Sequence, residues 1–558
     1  MNAKNDSAAP APPLLAEPRA FAAPPGTPIE LIQTHIGYVY LVGRFAYKLK
    51  KPVTYDFLDF STLEKRRWAC DREVTLNRRL CPNLYLGVFP IVEDPRGFRY
   101  VDESQTLAPC AAEGPHAPRE SACENNSGLR VVDYCVKMHR MPLDRLFDRL
   151  LDANTVSAAD VEAIARVLAP FYTAQRGSIP IGGLGDFDAV QFNIDENLNE
   201  GKSLKPDILP PAQRDLIETR ARRFLTKYGN EIRQRARDGF VVDGHGDLRA
   251  ENICLPRDST PILFDCIEFN DRFRVCDSAQ DISFLAMELA FRGRTDLSDA
   301  FVKAYRESCD PALSDRLLNF YLGYRAFIKG KVDAWIAGDA GIPEEQRKKS
   351  ADRARAYFDL SLNYALHGEA ALIVFCGVSG SGKSTLARYI AGRLNVAHLS
   401  TDLLRDEVVP RSLPREERYA PAATAQVYDA LFARAAQNLA AGRIVLLDGT
   451  FTTRAMRARA LEAARSLNVS TLLVWADCPP EFAAQHIQER NETGKTHGSE
   501  ANESVSVAQR QRFEAPELAE GFAALVRVET SLADRNAVVS AMWQKLLAGL
   551  KLEPEGVS

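Results

Sequence analysis

The sequence predicts a multidomain chain, an α+β part followed by an α/β part with a parallel sheet, and three observations carry that prediction. At 558 residues the chain has room for roughly three or four compact units of about 150 residues, and 46% hydrophobic residues supply their cores. Strand-like segments predominate between residues 29 and about 138, broken by one helical stretch and an insertion, and helical periodicity dominates 142–367. After 368, short apolar strands alternate with helical segments, as in a parallel sheet covered by helices.

Taken in order, residues 1–28 are dominated by Ala and Pro and hold too few large apolar side chains to offset ordering entropy, so a disordered tail is expected with folding from Ile29. YVYLVG and AYKLKKPV read as strands, and a helical pattern runs from Thr62 to about Leu80. LGVFPIVED and FRYVDE form a further strand pair. Residues 103–128 lose all periodicity, and LRVVDYCVKM resumes as a strand, which predicts a floppy insertion between two paired strands. The helical stretch that follows is interrupted by ENICL and PILFDCI and closes on a helix ending at Gly368. A boundary at 367–370 is therefore expected, giving domains at 29–367 and 368–552 and a short tail at 553–558. Strands at 371–376, 396–400, 444–448 and 470–476 then alternate with helices.

Composition excludes several classes. A formal charge of −4 gives no broad basic footprint for duplex nucleic acid or an anionic membrane. Nucleic acid stays open only as a partner of the C-terminal domain. The eleven cysteines include no CxxC pair, so neither a zinc site nor a disulfide framework is indicated. No apolar run approaches the ~20 residues of a membrane span and no signal-peptide pattern opens the chain. A cytoplasmic protein with reduced thiols is expected.

Two constellations carry chemistry. In HGDLRAEN at 245–252, Asp247 and Asn252 have the spacing of a kinase catalytic loop, HRDxxxxN, and Asp265 follows the apolar strand PILF. An aspartate beside an acceptor hydroxyl can orient it and take its proton, while an asparagine and a second aspartate hold the magnesium that bridges nucleotide phosphates. Asp247 is the candidate base; Asn252 and Asp265 are candidate metal ligands. A phosphate-binding lysine is also needed: Lys48 matches the strand lysine of the kinase pattern, with Lys50 on the same strand face. Glu73 lies on the inward helical stripe of Ala69, Leu76 and Leu80, where a carboxylate requires a cationic partner.

GVSGSGKST at 377–385 fits G-x-x-x-x-G-K-[ST] between an apolar strand and a helix beginning near Lys383. Gly377, Gly380 and Gly382 let the backbone N–H groups of a loop that also holds Ser381 and Thr385 turn toward phosphate. Lys383 reaches the β/γ-phosphates, and Ser384 can ligate magnesium. Asp448 ends the strand IVLLD and resembles a Walker B carboxylate. Asp402 and Arg405, three apart in LSTDLLRDEV, are positioned to project together at a strand's C-terminal edge. The segment from His486 to Pro516 reads as a lid with Arg490, Arg510 and Arg512 as candidate neutralisers of phosphoryl charge. His398 and His486 show no metal-ligand spacing and read as structural.

The first set of residues resembles the aminoglycoside phosphotransferase-like kinases. The wider string FDCIEFNDRFRVCDSAQDISFLAMEL is similar to that of bacterial bifunctional aminoglycoside phosphotransferase/ATP-binding proteins, over nearly the whole chain after the tail. The resemblance implies a protein-kinase-like two-lobed domain followed by a P-loop NTPase domain. By it Asp247 is the catalytic aspartate, Asn252 and Asp265 bind magnesium, and Asp281 braces the catalytic loop. One departure stands out: no GxGxxG loop precedes Lys48, only Gly37. The S-x-D-x-x-R pattern resembles phage-type polynucleotide kinases and related small-molecule P-loop kinases, which implies Asp402 as a second base. The expected activity is a bifunctional ATP- and Mg²⁺-dependent phosphotransferase acting on small-molecule hydroxyls. Two alternatives stay open: a nucleotide-binding sensor without acceptor chemistry, and a polynucleotide 5′-hydroxyl kinase in the C-terminal domain.

Overall fold

The computed structural model describes residues 17–55, 57–94, 97–100, 130–257, 259–465, 467, 469–493, 503–530 and 535–550. The chain divides into two compact units, Met1–Asn193 with Tyr228–Ser314, and Ile194–Lys227 with Asp315–Ser558.

In the first unit, strands β1 (Ile29–Gln33), β2 (Gly37–Val42) and β3 (Phe45–Lys50) precede helix α1 (Leu63–Asn77). Strands β4 (Tyr85–Asp94), β5 (Gly97–Tyr100) and β6 (Arg130–His139) complete an antiparallel sheet in the order β1-β2-β3-β6-β4-β5. Helix α1 starts where Thr62 caps it, its hydroxyl accepting from Lys65 N–H at 3.3 Å. Cys70 and Val74 of α1 pack under the sheet with Leu41, Ala46 and Val136. The two strands flanking the 103–128 insertion do not pair with each other, contrary to expectation: both pair with β4, which is long enough to take one partner on each edge. The insertion lies outside the described residues, as do 1–16 and 553–558. The expected tail is nonetheless ordered at its end. Pro18–Phe21 forms a 3₁₀ turn, and the Phe21 ring packs 5.4 Å from that of Tyr40 and 4.7 Å from that of Tyr47, so one aromatic residue anchors an otherwise poor sequence on the sheet.

Helix α2 (Ala158–Thr173) is followed by α3 (Phe187–Gly201) and α4 (Pro211–Arg237), which the division between units cuts. Short strands β7 (Val241–Asp243), β8 (Ile253–Cys254), β9 (Ile262–Leu263) and β10 (Val275–Asp277) form two small antiparallel pairs, β8 with β9 and β10 with β7. They hold the 245–252 loop and the 264–269 segment in place. Helices α5 (Ser278–Phe291) and α6 (Thr295–Cys309) complete the unit.

The second unit opens with α7 (Asp315–Gly338) and α8 (Glu344–Ala365). These helices lie before the boundary expected at 367–370, yet they group with the P-loop region. Asp359 on α8 accepts from Arg393 Nε at 2.8 Å and from Gln213 Nε2 at 2.9 Å, and Gln213 in turn accepts from Trp543 Nε1 at 3.2 Å. Such polar ties leave no trace in periodicity. Beyond them come β11 (Ala371–Cys376), α9 (Lys383–Leu394), β12 (Ala397–Ser400), α10 (Thr401–Val408), α11 (Pro421–Ala440), β13 (Ile444–Asp448), α12 (Arg454–Arg465) and β14 (Ser470–Asp477). Helices α13 (Pro480–Thr493) and α14 (Glu503–Gln511), strand β15 (Ala524–Glu529) and helix α15 (Arg535–Leu550) close the unit. All five strands are parallel in the order β12-β13-β11-β14-β15, and β15 extends the expected four. Every residue of β11 is buried, as a central parallel strand covered on both faces requires. Strand order reverses beside β11, so its C-terminal end is the crevice where such sheets bind ligands. Among the described residues no helix is long and apolar enough to cross a membrane.

Candidate functional site

In the first unit, strand alternation puts Lys48 and Lys50 on one face of β3, toward α1. Glu73 is fully buried and meets both. Lys48 Nζ stands 3.0 Å from Glu73 Oε1, an ion contact without hydrogen-bond alignment, and donates to Asp265 Oδ1. Lys50 Nζ donates to Glu73 Oε2 at 2.5 Å and to Glu268 Oε1. The two lysines differ in access: the Lys48 side chain is 18% exposed and that of Lys50 1%. Burial would lower both ammonium groups, but the carboxylates around them outweigh it and hold both above the ordinary lysine value. Burial likewise would raise Asp265, yet the adjacent Lys48 ammonium leaves its carboxyl below the usual range.

The 245–252 loop is fixed from behind. Gly246 has φ +82°, and a Cβ there would sit 3.1 Å from the Phe273 carbonyl oxygen, so the glycine is required. Asp281, fully buried, accepts from the N–H groups of His245 (2.7 Å) and Gly246 (2.8 Å) and from the Tyr172 hydroxyl (2.8 Å). Asp247 Oδ2 accepts from Asn252 Nδ2 at 3.0 Å, and the same amide reaches the Asp247 carbonyl at 2.9 Å. Arg249 Nε lies 2.9 Å from Asp247 Oδ1. Asp265 takes a left-handed φ of +66°, uncommon for a residue with a Cβ, and its N–H donates to the Tyr85 hydroxyl at 3.2 Å. Asp247 is near enough for its charge to push the Asp265 carboxyl upward against Lys48.

These donors fit a magnesium ion. Burial raises the Glu268 carboxyl even beside Lys50, whereas Asp265, whose side chain is 39% exposed, is the open end of the group. Among the described residues no group of three or more His, Cys, Asp or Glu gathers as a metal cage. Magnesium needs none, because it binds through one or two carboxylates, waters and substrate phosphates.

In the second unit the phosphate loop connects β11 to α9. Gly377 (φ +147°), Gly380 (φ +83°) and Gly382 (φ +81°) lie in the region that disfavours side chains. A Cβ at Gly377 would be 2.7 Å from both the Ala476 carbonyl oxygen and Ser381 Oγ, and one at Gly380 would overlap the Ala483 carbonyl. Lys383 opens α9, Thr385 is exposed in its first turn, and Ser384 Oγ donates to Asp448 Oδ1 at 3.1 Å. Burial would raise Asp448, but His398, Lys383 and Ser384 together hold it below the usual carboxylate range. The fully buried Ser381 Oγ makes no hydrogen bond. An orphaned hydroxyl inside a glycine cradle fits a phosphate oxygen, and the Ser384 and Asp448 pair fits the magnesium that accompanies it.

Asp402 lies in the first turn of α10, and the helix is capped not by it but by Ser400, whose hydroxyl accepts from Asp402 N–H at 3.3 Å. Ser400 pairs with Asp448 across the strands, which brings α10 to the same edge. Arg405 does not project beside Asp402 as the three-residue spacing suggested. It is buried, donates Nη1 to the Arg418 carbonyl at 2.7 Å and stacks 4.3 Å from the Tyr419 ring. Arg510 donates Nη2 to the Cys478 carbonyl at 2.8 Å, and Arg512 is exposed. Arg490 belongs to α13, and its side chain lies outside the described residues.

Sequence reasoning missed several groups. Glu268 sat inside the FDCIEF string, an acidic residue between apolar ones, and that was its only signal. Arg249 reads as an ordinary loop cation until it meets Asp247. His398 Nε2 approaches Asp448 Oδ2 at 3.4 Å, and His486 Nδ1 donates to the Gly380 carbonyl at 2.9 Å. Gln509 and Ser506 of α14 bind the N–H and carbonyl of Ser379, each at 2.8 Å, tying that helix to the loop.

Comparison with known proteins gives matches of different reach. Residues 372–516 match the family profile described as an AAA domain. Uncharacterized proteins of Mycobacterium tuberculosis strain H37Rv and of Mycobacterium bovis are each 31% identical over 492 residues, 87% of this chain and 90% of theirs. Among solved structures, a putative kinase from Chloroflexus aurantiacus is 21% identical over 32% of this chain and 97% of its own, with a TM-score of 0.28. A gluconokinase from Sinorhizobium meliloti is 21% identical over 32% of this chain and 91% of its own, with a TM-score of 0.23. The APS kinase of Mycobacterium tuberculosis, in complex with AMPPNP and APS, is 19% identical over 33% of this chain and 99% of its own, with a TM-score of 0.24.

Proposed function

We propose, from the premise that this chain belongs to one family with the uncharacterized mycobacterial proteins it matches along nearly its whole length, that it is a bifunctional, magnesium- and ATP-dependent phosphotransferase. The first unit is a protein-kinase-like domain of the aminoglycoside phosphotransferase type and phosphorylates a small-molecule hydroxyl. The second is a P-loop kinase acting on another small-molecule hydroxyl. One observation carries the reading: Lys48, Glu73 and Asp265 meet in one ion-paired group, and Asp247 and Asn252, from a loop more than a hundred positions from either lysine or Glu73, are tied beside it by the hydrogen bond from Phe264 N–H to the Asn252 carbonyl at 3.0 Å. A turn that merely capped a hairpin would not need that convergence. The nine free cysteines among the described residues suit a reducing compartment, the cytoplasm.

In the first unit the acceptor hydroxyl sits against Asp247, which orients it and takes its proton as the oxygen attacks the terminal phosphorus and the bond to ADP breaks. Asn252 fixes the Asp247 carboxylate, and Asp281 fixes the loop that carries it. Lys48 contacts the phosphates, with Glu73 holding its ammonium. Asn252 and Asp265 would hold a magnesium ion, whose charge would neutralise that of the phosphates. In the second unit the loop amides and Lys383 hold the phosphates, Ser384 and Asp448 would hold the metal, and Asp402 is the residue at the sheet edge able to take a proton. The test incubates wild type, Asp247→Ala and Lys383→Ala with labelled ATP, magnesium and a cell metabolite extract. Each variant is expected to lose a different phosphorylated species, and an unchanged pool in both would refute the reading.

A further inference from the structure

A lysine on a strand needs one carboxylate partner to be held for phosphate contact. This site has a second lysine and a second carboxylate that such chemistry does not demand. Asp265, Lys48, Glu73, Lys50 and Glu268 form one continuous chain of ion contacts, and its two ends lie three residues apart on the same segment. Strand β3, helix α1 and the 265–268 segment are therefore closed into a ring. The two halves differ in access. The Lys48 and Asp265 side chains are 18% and 39% exposed, whereas those of Lys50 and Glu268 are 1% and 4% exposed. Only the open half can exchange partners with a ligand. The closed half is sealed, with the Phe60 ring 5.4 Å from the Lys50 ammonium.

We propose that Lys50 and Glu268 are positioning residues for the nucleotide site: they hold Glu73 by its second carboxylate oxygen, so that Lys48 can turn from Asp265 to phosphate while α1 keeps its place. The proposal rests on the reading of the first unit as an ATP-dependent phosphotransferase. When Asp265 is taken up by a metal ion, Lys48 loses one of its two carboxylates and must turn toward the phosphates. A buried Glu73 held by Lys48 alone would then be left with a partner in motion, and a buried carboxylate with an incomplete partner is costly. Lys50 supplies a contact that ligand binding does not touch. Glu268 keeps Lys50 from collapsing onto Glu73 by itself or onto Asp265, and the two carboxylates hold the Lys50 ammonium above the ordinary lysine value against its burial.

The experiment uses the full chain carrying Lys383→Ala, which silences the P-loop, and measures the dissociation constant of a fluorescent ATP analogue with magnesium, together with thermal melting. Glu268→Gln keeps the shape and removes the charge; Lys50→Met removes the cation. Each is expected to weaken nucleotide binding about tenfold, the scale of one charge-assisted contact. The double variant is expected to be no weaker than either single one, while Lys50→Arg restores most of the affinity. Unchanged affinity in Glu268→Gln and Lys50→Met overturns the proposal, as does a loss of cooperative melting in Glu268→Gln, which would assign the pair to stability alone. Lys48→Met and Asp265→Ala, measured alongside, separate the two levels. If they too leave binding intact, the first unit is not a nucleotide site at all; if they abolish it while the Lys50 and Glu268 variants do not, only the positioning role fails.

Discussion

In the first unit, the cation that would meet phosphate is already spoken for, with Lys48 set between Glu73 and Asp265. In the second, the phosphate cradle is made of backbone, its glycines held at φ values near +80° and beyond and one buried hydroxyl left without a partner. On the proposed function, the first site rearranges its own ion contacts when phosphate and metal arrive. The second presents N–H groups whose direction is fixed by the chain. Side-chain sites of the first kind draw on residues far apart and depend on the whole fold. Loop sites of the second kind are complete within a few residues and one neighbouring strand end.

The largest effects would break this contrast outright. Asp247→Ala removes the proposed proton acceptor of the first unit and is expected to lower turnover there by about 10²–10⁴-fold, the usual share of general-base catalysis. The product of the second unit should be untouched. Lys383→Ala should do the reverse, with a loss of about 10²–10³-fold from one missing charge-stabilising group. Product-resolved phosphate transfer from labelled ATP checks both. Next in size are the glycines. Gly380→Ala forces a side chain into a left-handed φ and against the Ala483 carbonyl, and should cost about 1–3 kcal/mol of folding stability together with nucleotide binding. Gly246→Ala, also left-handed and 3.1 Å from the Phe273 carbonyl, should cost a similar amount and misplace Asp247. Chemical denaturation with and without ATP separates stability from binding in each.

Ser381→Ala sharpens the comparison further. Its hydroxyl has no partner to lose, so the melting temperature without nucleotide should hold or rise, while nucleotide affinity falls by about tenfold at most. Calorimetric titration beside a thermal melt reads both numbers. The smallest effect concerns pH. Asp265 and Asp448 are held below the usual carboxylate value, so their contributions to stability are fully present above the unfolded value of about 3.9 and are lost as pH falls through the lower folded values. Melting temperature should therefore be insensitive to these two groups between about pH 5 and 8. Asp448→Asn should flatten part of the acid limb.

The P-loop was legible because its function is local: glycine spacing, a lysine and flanking apolar runs state the geometry within nine residues. The 245–252 loop was legible for the same reason, its five-residue interval fixing which side chains share the turn. Glu73 could be read from helical periodicity, because an acid on an apolar stripe has to find a cation. Other features were hidden. Period-two alternation places Lys48 and Lys50 identically, and only the exposure of one and the sealing of the other distinguishes them. The spacing of Asp402 and Arg405 suggested a joint role, but the nearby Arg418 carbonyl and Tyr419 ring hold the arginine. Ala and Pro content pointed to a tail through residue 28, and a single buried phenylalanine overrode it.

What the sequence by itself determined was the P-loop motif, the turn at 245–252 and the alternation of elements that carries them, because turn chemistry, strand period and helix period are properties of neighbours in the chain. What only the tertiary structure decided was which charges meet: Lys50 with Glu268, Arg249 with Asp247, His398 with Asp448, and α7 and α8 with the second unit rather than the first. Those pairings depend on distances between segments tens to hundreds of residues apart. A buried charge must find an opposite charge somewhere, but which one it finds is set by packing.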